Sequence, residues 1–292
     1  MTTPSSELRG VGRRQRMKLL RAGLAGVAFA SVFASGQGIA ATCGDVAACG
    51  IEATTIDAAD SRSAGSYRPD GSPEIANLPA FCRIHGAISP VPDSRIGFEL
   101  WLPEGGWNGK LEMFGNGGYS SKIAYGGLGK QIRRGYAVLG TDTGHSGADP
   151  ACAAGHPEAV TDWGHRAVHL SVQAAKQIVA KFYGRSANHS FFSGCSTGGQ
   201  QALMEVQRHP EDFDGVIAGD PGHNRTHLNA GFLWQFAKNH RTGPDAGQII
   251  PAAKLAAITA AVVAACRGRD GGLGTDTFLT NPEACGFQPK DM

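Results

Sequence analysis

The 292 residues carry 27 Lys and Arg against 25 Asp and Glu, a net charge of +2, and 41% of them are hydrophobic. That balance describes a chain able to bury a full core, and it excludes disordered and fibrous classes. No basic stripe lies beyond the first 21 residues, so the electrostatic footprint of a nucleic-acid binder is missing as well.

The N-terminus reads as an export signal. Arg13, Arg14, Arg16, Lys18 and Arg21 precede an apolar stretch that ends at Ala34, and Gly38-Ile39-Ala40 supplies a small-x-small cleavage site. The apolar run is too short to span a bilayer, so residues 1–40 are expected to be removed after Ala40 and the mature protein to be secreted or periplasmic, off the membrane. Arg16 stands where twin-arginine export expects an apolar residue, which favours the general secretory route. Cys43, Cys49, Cys82, Cys152, Cys195, Cys266 and Cys285 all follow the signal and suit an oxidising compartment. Their number is odd, so at least one lacks a partner within the chain. Neither C-x-x-C nor His-x-His occurs at zinc spacing, which argues against a structural zinc site.

Ile96, Phe98, Leu100 and Leu102 alternate with Gly97, Glu99 and Trp101, the period-2 pattern of a strand with one face on the core. Lys110–Phe114 and residues 136–141 read as further strands, followed by the glycine loops Gly115-Asn116-Gly117-Gly118 and Gly144-His145-Ser146-Gly147. Val168, Val172, Ala175, Val179 and Phe182 recur at helical spacing and predict a helix over 165–183, closed by Gly184. A strand then leads to Ser196. The helix after it carries Ala202, Leu203 and Val206 on one face, stops before Pro210, and gives way to a buried strand at Gly215–Gly219. This rhythm is that of a mostly parallel α/β sheet with helices on both faces. Past about Pro221 it fades: residues 229–240 and Ala252–Cys266 read as helices, and the tail to Met292 as loop.

Gly194-Cys195-Ser196-Thr197-Gly198 is a G-x-S-x-G turn between strand and helix, which presents Ser196 as a nucleophile. The N–H of Thr197 and one from the earlier glycine loop, Gly118 or its neighbour Gly117, are the expected oxyanion donors. Gly115 to Gly118 does not fit a dinucleotide fingerprint, because the third glycine is misplaced and no acidic residue follows at the required spacing. Asp220 ends the next strand with His223 and His227 close behind. Three residues of chain cannot carry an imidazole round to face Ser196, so Asp220 reads as a turn or cap residue. His145 reads as a loop-fixing residue, and His165, His169, His189, His209 and His240 as surface or helix-end residues.

Five stretches together resemble the tannase and feruloyl esterase family, which includes the bacterial hydrolase of mono(2-hydroxyethyl) terephthalate. They are Trp107-Asn108-Gly109, Thr141-Asp142-Thr143-Gly144-His145, Lys181-Phe182-Tyr183-Gly184-Arg185, Gly194 to Gly199, and Phe213 to Gly219. The resemblance runs over about residues 43–285. It implies an α/β-hydrolase core, whose N-terminal part is residues 41–225, and a lid domain that begins within 226–292, with the final strands of the sheet beyond. It also implies a serine carboxylic ester hydrolase with no redox cofactor, whose partner is a small ester of gallic, ferulic or a similar aromatic acid.

In the family, the cysteine before the nucleophile is disulfide-bonded to one just after the catalytic histidine. Cys195 matches the first. The resemblance places its partner, the histidine and the catalytic aspartate C-terminal to Met292, which leaves as the alternative a catalytically incomplete fragment or inactive relative. It further implies the pairs Cys43–Cys82 and Cys266–Cys285; the partners of Cys49 and Cys152 stay open, a bond between the two being one option. A structural calcium ion between the last two cysteines is implied as well, with Asp270 and Asp276 at two carboxylate positions and Arg267 standing at a third.

Overall fold

The computed structural model describes residues 41–243, 247–288 and 290; the expected export signal, residues 1–40, lies outside the described residues. The chain enters through a short helix, α1 (Cys43–Val46), capped by Thr42 and Asp45 in a reciprocal capping box. β1 (Thr54–Arg62), a small hairpin of β2 (Gly65–Tyr67) and β3 (Ile75–Leu78), and β4 (Phe81–Ile88) follow. The sequence reading recognised none of these strands. β5 (Ile96–Pro103), β6 (Lys110–Phe114), α2 (Tyr125–Ile132) and β7 (Ala137–Thr141) come next. After α3 (Pro157–Thr161) the expected helix is α4 (Ala167–Tyr183), and Gly184 closes it at φ +67°. It is preceded by one π-turn, Asp162–Arg166, in which buried Asp162 accepts from Ser94 Oγ at 2.7 Å. β8 (His189–Cys195), α5 (Thr197–Arg208), β9 (Gly215–Gly219), α6 (Arg225–Asn239) and α7 (Ala252–Cys266) complete the elements.

Seven strands form one sheet in the order β1-β4-β5-β7-β6-β8-β9. The first four are antiparallel neighbours, and β7, β6, β8 and β9 run parallel. This is the mostly parallel α/β sheet that the sequence pattern predicts, extended by an antiparallel flank.

β5 departs from the expectation of a half-buried strand, because every one of its residues is buried. Phe98, Leu100 and Leu102 join the larger core with Val168, Val172 and Val179 of α4, while Trp101 joins a second core with Phe81, Leu128 and Val138. Both sheet faces are covered, so alternation marks two cores and not core against solvent. Glu99 lies wholly buried on the second face. Arg83 grips it through Nε at 2.6 Å and Nη2 at 2.9 Å, Trp101 Nε1 donates at 2.8 Å, and His85 Nδ1 stands 3.3 Å away. Burial works against the Glu99 charge, but His85, Arg83 and Trp101 together hold its carboxyl below the usual range.

Disulfides join Cys43 to Cys82 and Cys266 to Cys285, as the resemblance implies. Cys49 and Cys152, whose partners the sequence left open, are not paired. Cys49 packs against the larger core just after α1, whereas Cys152 lies exposed in the turn Pro150–Ala153 beside Tyr119 and Trp163. Among the described residues no helix is long and apolar enough to cross a membrane. α6 has no buried residue and α7 only Cys266.

Candidate active site

β8 delivers Ser196 at φ 59°, ψ −115°, a conformation that costs a non-glycine residue about 1–3 kcal/mol unless its surroundings hold it. They do hold it. Ser196 N–H donates to Gly219 O at the end of β9 at 3.0 Å, and Ser196 O accepts from Gln200 N and from Gly222 N, each at 3.0 Å. The flanking glycines are required by close approach: a Cβ on Gly194 would overlap the Gly198 carbonyl, and one on Gly199 would overlap the Gly219 carbonyl. Thr197 is fully buried, and its Oγ1 accepts from Arg225 Nη2 at 2.7 Å.

The glycine loop after β6 is clamped to the start of α5. Asn116 N donates to Gln201 Oε1 at 3.0 Å, and Gln201 Nε2 returns a bond to Asn116 Oδ1 at 3.3 Å. Asn116 Nδ2 also donates to Thr141 O at 2.9 Å. The Gly115 and Asn116 backbone abuts Gly198, and Gly118 turns away at φ +57°. Among the described residues, the N–H groups of Gly117, Gly118 and Thr197 donate to no protein acceptor. The fold therefore gathers Ser196, Thr197 and this loop at the C-terminal ends of the parallel strands.

It brings no base to Ser196. Among the described residues no imidazole hydrogen-bonds the Ser196 hydroxyl. His145 spends both ring nitrogens on its own loop, Nε2 2.6 Å from Tyr119 O and Nδ1 3.1 Å from Thr143 Oγ1. Asp220 occupies φ +36° at the end of β9, and His223 Nδ1 sits 3.1 Å from Pro221 O. Cys195 is exposed and unpaired among the described residues. Nearby Asp142 accepts from Gly97 N and Gly144 N, both at 2.8 Å, yet burial prevails and its carboxyl is pushed up to about 6.

Sequence reasoning missed an apolar cavity of about 160 Å³ beside this assembly. Tyr119, His145, Ala159, Val160 and Trp163 line it, and Tyr119 stacks on Trp163 with centroids 5.2 Å apart. The Arg225 guanidinium lies 5.3 Å from the Trp163 ring centre while it bonds Thr197, which couples the cavity wall to the serine turn. Tyr119 follows Gly118 directly, and that adjacency was the available signal.

At the other end of α5, His209 caps the helix as a helix-end reading expects, whereas His169 departs from the expected role. His169 Nδ1 is 2.6 Å from Oδ2 of fully buried Asp212, and the His169 and His209 rings stack at 3.7 Å. Glu205, also buried, is pushed up to about 8 by burial first and by the Asp212 charge second.

In the loop after α7, Asp270 accepts from Gly272 N at 3.2 Å and from Thr280 N at 2.5 Å, and Asp276 accepts from Leu273 N at 2.7 Å. Asp270 Oδ1, Asp276 Oδ2 and Thr280 Oγ1 converge on Gly272, where any Cβ would meet all three. A set of hard oxygens suits Ca²⁺ in chemistry, although two carboxylates leave most of a shell of about 6–8 oxygens to backbone carbonyls. Arg267, at the third position, forms no ion pair among the described residues.

Residues 82–292 match the tannase and feruloyl esterase family. The chain belongs to the tannase and feruloyl esterase family. It is 39% identical over 253 residues to an uncharacterized esterase of Xanthomonas campestris, covering 86% of this chain and 43% of that protein. A probable feruloyl esterase B-1 of Aspergillus flavus is 36% identical over 205 residues, covering 70% of this chain and 38% of its own length. Among solved structures, an esterase from Aspergillus oryzae superposes with a TM-score of 0.73 at 29% identity, over 86% of this chain and 50% of that one. Feruloyl esterase B from the same organism gives 0.71 at 29%, over 80% and 47%. The α/β-hydrolase fold follows from these superpositions. The chain spans about half or less of the length of the relatives it matches.

Proposed function

We propose that this family member carries the nucleophile of a secreted or periplasmic serine carboxylic ester hydrolase acting on esters of aromatic acids such as ferulic or gallic acid. The observation that carries the reading is Ser196 held at positive φ, beside unengaged N–H groups of Thr197 and the clamped glycine loop. Ser196 Oγ attacks the ester carbonyl. The negative charge that develops on the carbonyl oxygen is met by the N–H of Thr197 and of Gly118, donors already fixed before the reaction, and each is worth about 10²–10³ in rate. Collapse of the tetrahedral intermediate expels the alcohol, and water hydrolyses the acyl-enzyme. The proton passes through the histidine that the family resemblance implies, stapled to the serine turn through Cys195.

The stacked Tyr119 and Trp163 beside the turn support an aromatic acyl group, since flat rings pack favourably face to face or offset. Asp270 and Asp276 are proposed to hold a structural calcium ion remote from the chemistry. The test is covalent labelling with a fluorophosphonate followed by peptide mass analysis. Modification at Ser196, absent in Ser196→Ala, is expected once the histidine that the family resemblance implies is supplied with the chain; an unmodified Ser196 in that folded protein rejects the nucleophile assignment.

A further inference from the structure

Glu205, His209 and Asp212 lie at the C-terminal end of α5 and in the turn after it. The turn is fixed by His209 N donating to Glu205 O at 2.7 Å and Asp212 N donating to His209 O at 2.9 Å. Residues four apart on a helix share a face, so Glu205 and His209 point the same way, and α4 brings His169 against them. One ligand atom from each of His169, His209 and Asp212 lies within 4.8 Å of the others. Glu205 is 1% exposed and lies against the Asp212 carboxyl, and apart from that carboxyl no described residue bonds its side-chain oxygens. Gln173 Nε2 holds the remaining Asp212 oxygen.

Two carboxyl groups buried side by side, one of them with no donor from any other described residue, leave oxygens that a cation can engage. The three elements meeting there offer imidazoles as well, and two imidazoles with carboxylates form a donor set for a borderline divalent ion and not for calcium. We infer that His169, His209 and Asp212, with Glu205 completing the charge, form a structural site for a divalent transition-metal ion of the zinc type. The ion would tie α4 to the α5–β9 turn.

Ligands at about 2.1 Å from one tetrahedral ion sit about 3.4 Å apart. Entry therefore opens the His169–Asp212 hydrogen bond by under about 1 Å and fans the stacked rings. His209 is only half-buried at the helix C-cap and is free to swing; Asp212 stays oriented by Gln173, as second-sphere partners orient metal ligands. The site lies about 18 Å along α5 from Ser196, so its role is to fix the helix and not to join the chemistry. The sequence argued against zinc because it has neither C-x-x-C nor His-x-His; here His209 and Asp212 share one turn and His169 comes from α4.

The experiment is a Zn²⁺ titration of chelator-treated protein with Ca²⁺ present throughout, read by calorimetry and thermal unfolding, with Co²⁺ as a spectroscopic probe. One saturable Zn²⁺ per chain is expected, together with a rise in Tm and a Co²⁺ spectrum of low coordination number. His209→Phe keeps the stacking ring and removes the ligand; Glu205→Gln keeps the shape and removes the carboxyl group that can turn anionic beside the ion. Each is expected to weaken Zn²⁺ about tenfold or more, while His240→Ala leaves it unchanged. Absence of saturable binding, or equal binding by wild type and His209→Phe, overturns the assignment.

Discussion

Gln201 and Asn116 exchange two hydrogen bonds, Asn116 N to Gln201 Oε1 at 3.0 Å and Gln201 Nε2 to Asn116 Oδ1 at 3.3 Å, and both residues are buried. This pair sets the distance between the glycine loop and the serine helix. Gln201→Leu keeps the volume and leaves the Asn116 donor unsatisfied, so a loss of about 1–3 kcal/mol is expected. The rate of fluorophosphonate labelling at Ser196 should fall about tenfold or more, because the oxyanion donors lose their fixed geometry. Labelling kinetics alongside urea denaturation decide it: an unchanged rate in a destabilised variant separates the clamp from the oxyanion hole.

Glu99 accepts the bidentate Arg83 grip and is wholly buried. Glu99→Gln removes the anion and leaves Arg83 part-buried without its counter-charge, a change that costs about 3–5 kcal/mol for a buried pair. Equilibrium urea unfolding of the variant is expected to show that loss. A cost under about 1 kcal/mol would mean that Asp60, 3.8 Å from Arg83, takes over the charge.

Much of the parallel part of the sheet was legible in the residues. Lys110–Phe114, Gly215–Gly219 and Ala252–Cys266 emerge with the limits that their patterns predict, but the expected burial of Gly215–Gly219 fails: it is an edge strand with no buried residue and Ile217 exposed. β1 was not legible, because Asp57, Asp60 and Ser61 interrupt its apolar positions on an edge strand that is half open to solvent. β5 misled for the opposite reason: Glu99 and Trp101 look like an exposed face until a second core covers them. The serine turn is local chemistry and could be read directly. The cavity at Tyr119 and Trp163, and the meeting of His169 with Asp212, join residues 43 or 44 positions apart and have no local signature.

Asp142 makes stability depend on pH. Its folded carboxyl is pushed up to about 6, above the ordinary aspartate value of 3.8. The native state therefore binds the proton more tightly than the unfolded chain. The contribution is fully present below about pH 4 and is lost as pH rises through 6, amounting to up to about 3 kcal/mol. Asp142→Asn keeps an oxygen for Gly97 N and Gly144 N and cannot titrate. The stability difference, variant minus wild type, should therefore grow between pH 4 and pH 7. Parallel denaturation curves at the two pH values, with no growth, would show that solvent reaches the carboxylate.

The acidic loop closed by Cys266–Cys285 yields a calcium prediction that is independent of the zinc-type site. Asp270 is nearly buried. Burial opposes its charge, but backbone N–H groups of Gly272, Asn281 and Thr280 outweigh that and hold its carboxyl below the usual range, so the anion is ready at neutral pH. An ion that binds only the folded loop stabilises it by about 2.7 kcal/mol at a hundredfold excess over Kd. Millimolar Ca²⁺ is expected to raise Tm by a few degrees and EGTA to reverse the rise. Asp276→Asn should abolish the response, and His209→Phe should leave it intact. The disulfide closes the loop in every variant, so the comparison isolates the ion. If Arg267 already neutralises Asp270 and Asp276, Ca²⁺ will leave Tm unchanged, and Arg267→Asp, which restores the carboxylate implied by the family, will create the response.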